Sequence, residues 1–150
     1  MKELVERLTQ KQLTISSIES FTVGKFGSAI GSIPGASKVY AGSVVSYFTR
    51  IKADIVGVEW ELINTYGVVS HEVCKAMCEH GRKLMNTDLC ISFTGNAGPD
   101  TMENKPAGLV YVGINYRGEI QTYELRLTGN RQEVVEQAIL FAKTKIFEKL

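Results

Sequence analysis

Ser20, Tyr47 and Lys52 are the side chains whose types and spacing best suit chemistry. A serine hydroxyl is a weak nucleophile until a neighbouring base removes its proton. Histidine is the commonest base, but His71 and His80 fall on one segment that reads as a helix, with no evident route to Ser20. A lysine held neutral by burial or by nearby positive charge is the next option, and serine–lysine pairs follow the same logic as the serine–histidine triad. Lys52 follows a strand-like segment that carries Tyr47. If the strands before Ser20 and before Lys52 are neighbours, both carboxyl ends reach one rim of the sheet, where ligands bind in open α/β sheets. Plain roles stand beside each of these: Ser20 as a helix cap, Lys52 as a solvated lysine, Tyr47 as a packed strand residue.

Two further segments could hold a ligand. The run Glu19-Ser20-Phe21-Thr22-Val23-Gly24 changes from strand to helix periodicity, and Thr22 is a good cap type. A helix starting near Thr22 would present unpaired N–H groups and a partial positive charge, suited to a phosphate or an oxyanion. The loop Gly95-Asn96-Ala97-Gly98-Pro99-Asp100 has small residues that let a ligand approach the backbone closely, and Lys105 adds a cation nearby. Which segment serves which group is left open by the sequence.

The elements that must position these residues follow from periodicity. Residues 2–10 read as a short helix and Leu13 to Ile18 as a strand, with a helix from about Thr22 that carries Phe26 and Ile30. Pro34-Gly35 breaks the chain, Val39 to Phe48 reads as a second strand, and short helices are expected over 50–57 and around Trp60. Ser70 caps a longer helix to Met85, Leu89 to Thr94 is a strand, and Gly108 to Tyr116 with Ile120 to Leu127 form a hairpin around Arg117-Gly118. A final helix after Gly129-Asn130 carries an apolar stripe from Val134 to Ile146. Helices and strands that alternate before a closing hairpin predict a three-layer α/β/α fold with a mixed sheet and helices on both faces. With 150 residues, one domain over 1–150 is expected.

Composition narrows the function classes. The formal net charge is +1, which gives no basic field for a nucleic-acid backbone. No stretch approaches the roughly 18 apolar residues of a membrane span, and the charged start lacks the apolar stretch of a signal peptide, so a cytoplasmic protein without membrane partners is expected. The three cysteines suggest no disulfide framework. His71, Cys74 and Cys78 share one side of their helix at about 100° per residue, but His80 points away and apolar residues crowd the cysteines, so no metal site is expected.

Taken in order, these segments resemble the CinA C-terminal domain family, the nicotinamide-nucleotide amidohydrolases. The resemblance rests on Glu19-Ser20-Phe21-Thr22-Val23-Gly24, Pro34-Gly35-Ala36-Ser37, Val45 to Lys52, Gly67-Val68-Val69-Ser70, Gly95 to Pro99, and Lys105 to Tyr111, which span nearly the whole chain. It implies hydrolysis of the amide of nicotinamide mononucleotide to nicotinate mononucleotide and ammonia. Ser20 would be the nucleophile, Lys52 the base, and Tyr47 an aid to proton transfer or positioning. Thr22, Gly24, Thr94, Gly95, Asn96, Ala97, Gly98 and Lys105 would lie against the phosphorylated nucleotide. No metal or organic cofactor is implied, and a homodimer or higher homo-oligomer is. The larger N-terminal domain present in many members has no counterpart here, so a stand-alone form is expected. The chain departs from the family pattern at Phe21, Val23 and Arg50, and its Pro99-Asp100-Thr101-Met102-Glu103 segment lacks the glycines often found there. A homologue that binds a nucleotide or phosphate without catalysis is the alternative.

Overall fold

The computed structural model describes Met1–Leu150. Its elements are α1 (Lys2–Lys11), β1 (Ile15–Glu19), α2 (Lys25–Gly31), a 3-10 turn (Ala36–Lys38), β2 (Tyr40–Val45), α3 (Thr49–Asp54), α4 (Trp60–Tyr66), α5 (His71–Met85), β3 (Leu89–Gly95), β4 (Leu109–Tyr116), β5 (Glu119–Arg126) and α6 (Arg131–Lys149). The sheet runs β2-β1-β3-β4-β5. β1 pairs in parallel with β2 and β3, and β3-β4-β5 form an antiparallel meander.

The alternation of side chains along each strand divides the interior into two apolar layers. Ile15, Leu89, Ile91, Phe93, Val110, Val112 and Ile114 face α1, α2 and α6, meeting Leu4, Leu8, Phe26, Ile30, Val134 and Ala138 there. Ile18, Cys90, Leu109 and Tyr111 face the other way, toward Val73, Cys74, Met77 and Cys78 of α5 and Val56 and Ile63 beside it. The result is the three-layer α/β/α arrangement with a mixed sheet. β1 and β3 are buried along their whole length, whereas β2, at the edge, is half exposed.

Two of the boundaries that differ from the sequence reading bear on the site. β2 ends at Val45 rather than Phe48, so Ser46, Tyr47 and Phe48 leave the sheet and α3 begins at Thr49, with Lys52 inside it. The helix after Ser20 begins at Lys25, not near Thr22, and its N-cap is Gly24 with no side-chain cap. The physical reason is Glu19. Its buried carboxylate accepts the Phe26 N–H at 3.1 Å and the Gly27 N–H at 2.9 Å, together with the hydroxyls of Ser17 and Ser43 at 3.0 Å each. An ionised acceptor binds free helix amides more strongly than a threonine hydroxyl can. The first amides of α2 are therefore taken from within the chain, and this helix start is no cradle for a ligand.

At the opposite end, α6 begins with a reciprocal cap. Asn130 accepts the Glu133 N–H at 3.0 Å, and the Glu133 carboxylate accepts the Asn130 N–H at 2.7 Å. This fixes where Arg131 leaves the helix, a position that becomes important below.

Candidate active site

β1 and β2 are parallel neighbours, so the residues just past their ends lie side by side. The Ser46 N–H donates to the Glu19 carbonyl at 2.8 Å, and the Ser20 N–H donates to the Phe93 carbonyl at 3.0 Å. Ser20 is thus pinned between the ends of β2 and β3. The chain then turns sharply through Phe21–Gly24, closed by the Val23 N–H on the Ser20 carbonyl at 3.1 Å. Val23 has φ 47° and Gly24 φ 80°. A β-branched residue in this left-handed region costs roughly 1–2 kcal/mol. The strain is held by the Glu19 carboxylate on one side and by Phe21 on the other. The Phe21 ring packs edge-on against Phe93, with centroids 6.3 Å apart, and only 3% of the residue is exposed. Its bulk is therefore taken up largely in the core rather than across the mouth of the site.

Lys52 reaches the same point from the first turns of α3. Its Nζ lies 3.0 Å from Ser20 Oγ and 2.5 Å from the Ser46 carbonyl, and the residue is 1% exposed. No carboxylate lies within ion-pair distance of it. Burial pushes its pKa down to about 8, against the opposing pull of the Glu103 carboxylate. An amine of this kind is neutral at mildly alkaline pH. It can then donate one hydrogen to the Ser46 carbonyl and offer its lone pair to the Ser20 hydroxyl.

Beside this pair lies a pocket of about 240 Å³, lined by Ser20, Phe21, Tyr47, Gly95, Asn96, Ala97, Asp100, Thr101, Met102 and Arg131. Of the residues expected against a ligand, Gly95, Asn96 and Ala97 line it. Gly98 stands just behind the wall, where its carbonyl accepts from Arg131 at 2.9 Å. Thr22, Gly24, Thr94 and Lys105 are not on the lining. Thr22 is fully buried, and its hydroxyl has no partner. Gly24 lies against the edge strand, where an added Cβ would come within 3.5 Å of Val45. The Thr94 hydroxyl donates to the Val68 carbonyl at 2.7 Å. The Lys105 amine donates to the Val69 carbonyl at 2.6 Å and sits 3.7 Å from the Glu103 carboxylate, which itself accepts the Val69 N–H at 2.9 Å. Asn96 also works on the loop itself. Its amide holds the Met102 and Lys105 carbonyls at 3.1 Å each, and its oxygen accepts the Met102 N–H at 3.0 Å.

Tyr47 lines the pocket and is 53% exposed. Its hydroxyl accepts from Arg131 at 2.9 Å, and it makes no hydrogen bond to Lys52 or Ser20. Arg131, Thr101 and Met102 are lining residues that the sequence reading did not place against a ligand, and Asp100 entered it only as the end of the Gly95–Asp100 loop. Arg131 sits at the start of α6, far from the Ser20 segment in sequence, and no local motif marks it.

The family model for the CinA C-terminal domain matches residues 1–150. A competence-damage inducible protein of Levilactobacillus brevis is 43% identical over 138 residues, covering 91% of this chain and 33% of that protein. One from Listeria monocytogenes is 40% identical over 149 residues, covering 95% of this chain and 36% of that protein. The chain thus spans about a third of the length of the curated relatives it matches. Among solved structures, the competence or damage-inducible protein from Enterobacter asburiae superposes with a TM-score of 0.96 at 29% identity, covering 99% of this chain and 94% of that one. A CinA superfamily protein from Klebsiella pneumoniae gives 0.93 at 31% identity, covering 97% and 92%. The chain belongs to the CinA C-terminal domain family.

Proposed function

We propose that the protein is an amidohydrolase that converts nicotinamide mononucleotide, or a closely related phosphorylated amide, to the acid and ammonia. The observation that carries this reading is the contact between a serine hydroxyl and a buried lysine amine without a carboxylate partner, at the edge of a pocket. Burying a lysine with no counter-ion is unfavourable, so such an arrangement is a mark of function more than of stability.

In this reading, Lys52 takes the Ser20 proton as Oγ attacks the carboxamide carbon. The carbonyl oxygen gains the charge of the tetrahedral intermediate. Two amides on the lining, those of Phe21 and Ala97, have no acceptor within the chain although both residues are nearly buried. Unpaired amides of this kind are uncommon and suit a developing oxyanion. The lysine then passes its proton to the departing nitrogen, which leaves as ammonia. Water attacks the acyl-serine with Lys52 again as base, and Ser20 is restored as the acid is released. Arg131, tethered to Tyr47 and the Gly98 carbonyl, has no carboxylate partner and suits the phosphate. Tyr47 acts through Arg131, as a wall and a tether.

The test is release of ammonia from nicotinamide mononucleotide by the purified protein, with Ser20→Ala and Lys52→Ala alongside. Turnover abolished by both changes supports the mechanism. Turnover that survives Ser20→Ala removes it. Binding without turnover by the unaltered protein would leave a nucleotide-binding homologue instead.

A further inference from the structure

Asp100 lies on the lining of the same pocket as Ser20. It forms no ion pair and no side-chain hydrogen bond within the chain, and it is exposed. Arg131 shares the pocket and likewise lacks an ionic partner, although two hydrogen bonds hold it in place. A carboxylate and a guanidinium thus line one small pocket, with neither neutralised by the chain and the two not joined to each other. They are complementary to a ligand with both a positive and a negative group held apart by its own framework. The half-exposed ring of Tyr47 adds a surface that favours a cation.

We propose that Asp100 is a specificity-determining residue that reads charge, selecting phosphorylated amides whose amide-bearing ring is itself cationic over neutral rings of the same shape. The inference deepens the amidohydrolase reading and rests on it. Arg131 takes the anionic end, and Asp100 favours the cationic end. The selection acts on binding, so it appears in affinity before any chemistry occurs.

The experiment uses Ser20→Ala protein, which binds without turnover, and the Ser20→Ala/Asp100→Asn double variant. Both are titrated with nicotinamide mononucleotide and with a neutral isostere in which a carbon-linked benzamide replaces the pyridinium ring. Removing a negative charge also favours any phosphate, so both ligands gain slightly on Asp100→Asn, and the readout is the ratio of their affinities. The single variant is expected to prefer the cationic ligand by roughly tenfold, as for one partly shielded charge pair. In the double variant, that preference is expected to fall to within about twofold. A preference that persists undiminished after Asp100→Asn overturns the role of Asp100. Equal binding of both ligands by the single variant overturns charge reading while leaving a nucleotide amide pocket in place. Binding of neither ligand removes the amidohydrolase reading and this inference with it. Asp100 has no internal partner to lose, so the substitution leaves the fold intact, and unchanged thermal melting checks this.

Discussion

The rim beside β1 and β2 and the loop that follows β3 form two walls of one pocket, yet Ser20 and Lys52 on the first and Asn96, Glu103 and Lys105 on the second are used in opposite ways. On the rim, Ser20 and Lys52 are buried, and each leaves part of its bonding capacity uncommitted. In the loop, Asn96, Glu103 and Lys105 commit their groups to backbone atoms of the chain itself. These three residues resemble ligand-binding groups in type, but they build the wall. What distinguishes a reactive group from a structural one here is how little of its hydrogen-bonding capacity its own chain uses.

The sharpest way to break this contrast is at the rim. Ser20→Ala or Lys52→Met is expected to lower kcat for ammonia release by roughly 10³-fold or more with the fold retained, as seen by circular dichroism. Similar losses from Asn96→Ala would instead place that side chain in the chemistry. Next in size is Glu19→Gln, which removes a buried carboxylate that serves four donors. It is expected to lower stability in urea unfolding by about 3 kcal/mol, since several buried donors lose a charged acceptor. Asn96→Ala follows, at about 2 kcal/mol of stability, with KM rising severalfold and kcat nearly unchanged because a wall has loosened.

Val23→Gly is expected to act in the other direction. It relieves a β-branched residue at φ 47° and is expected to stabilise the protein by about 1 kcal/mol in the same unfolding assay. A loss instead would mean that the exposed Val23 side chain makes contacts outweighing its backbone strain. The smallest effect tests whether the two walls communicate. The lysine must be neutral to act, so kcat/KM is expected to rise as pH passes about 8. Glu103 holds that pKa up, so Glu103→Gln is expected to move the rise to lower pH. A midpoint that stays in place or moves upward would disconnect the loop's charge from the rim.

The layer order, the hairpin and both long helices were legible in periodicity alone. The convergence of Ser20 with Lys52 followed only on the condition that the strands before them are neighbours, and the sheet order supplies that condition. The helix start at Thr22 was misjudged for a specific reason. A cap rule weighs the residue at the boundary, whereas the amides here are satisfied by Glu19, reaching forward from the strand. Lys105 read as a ligand cation because sequence shows charge but not the carbonyls that absorb it. Arg131 was missed because its place in the pocket comes from the docking of α6, a long-range event with no local pattern.

The serine and lysine belong to one compact parallel unit near the start, but the guanidinium that completes the pocket arrives with the final helix. Loosening α6 from the sheet would therefore strip the pocket of its guanidinium while leaving the Ser20–Lys52 contact in place.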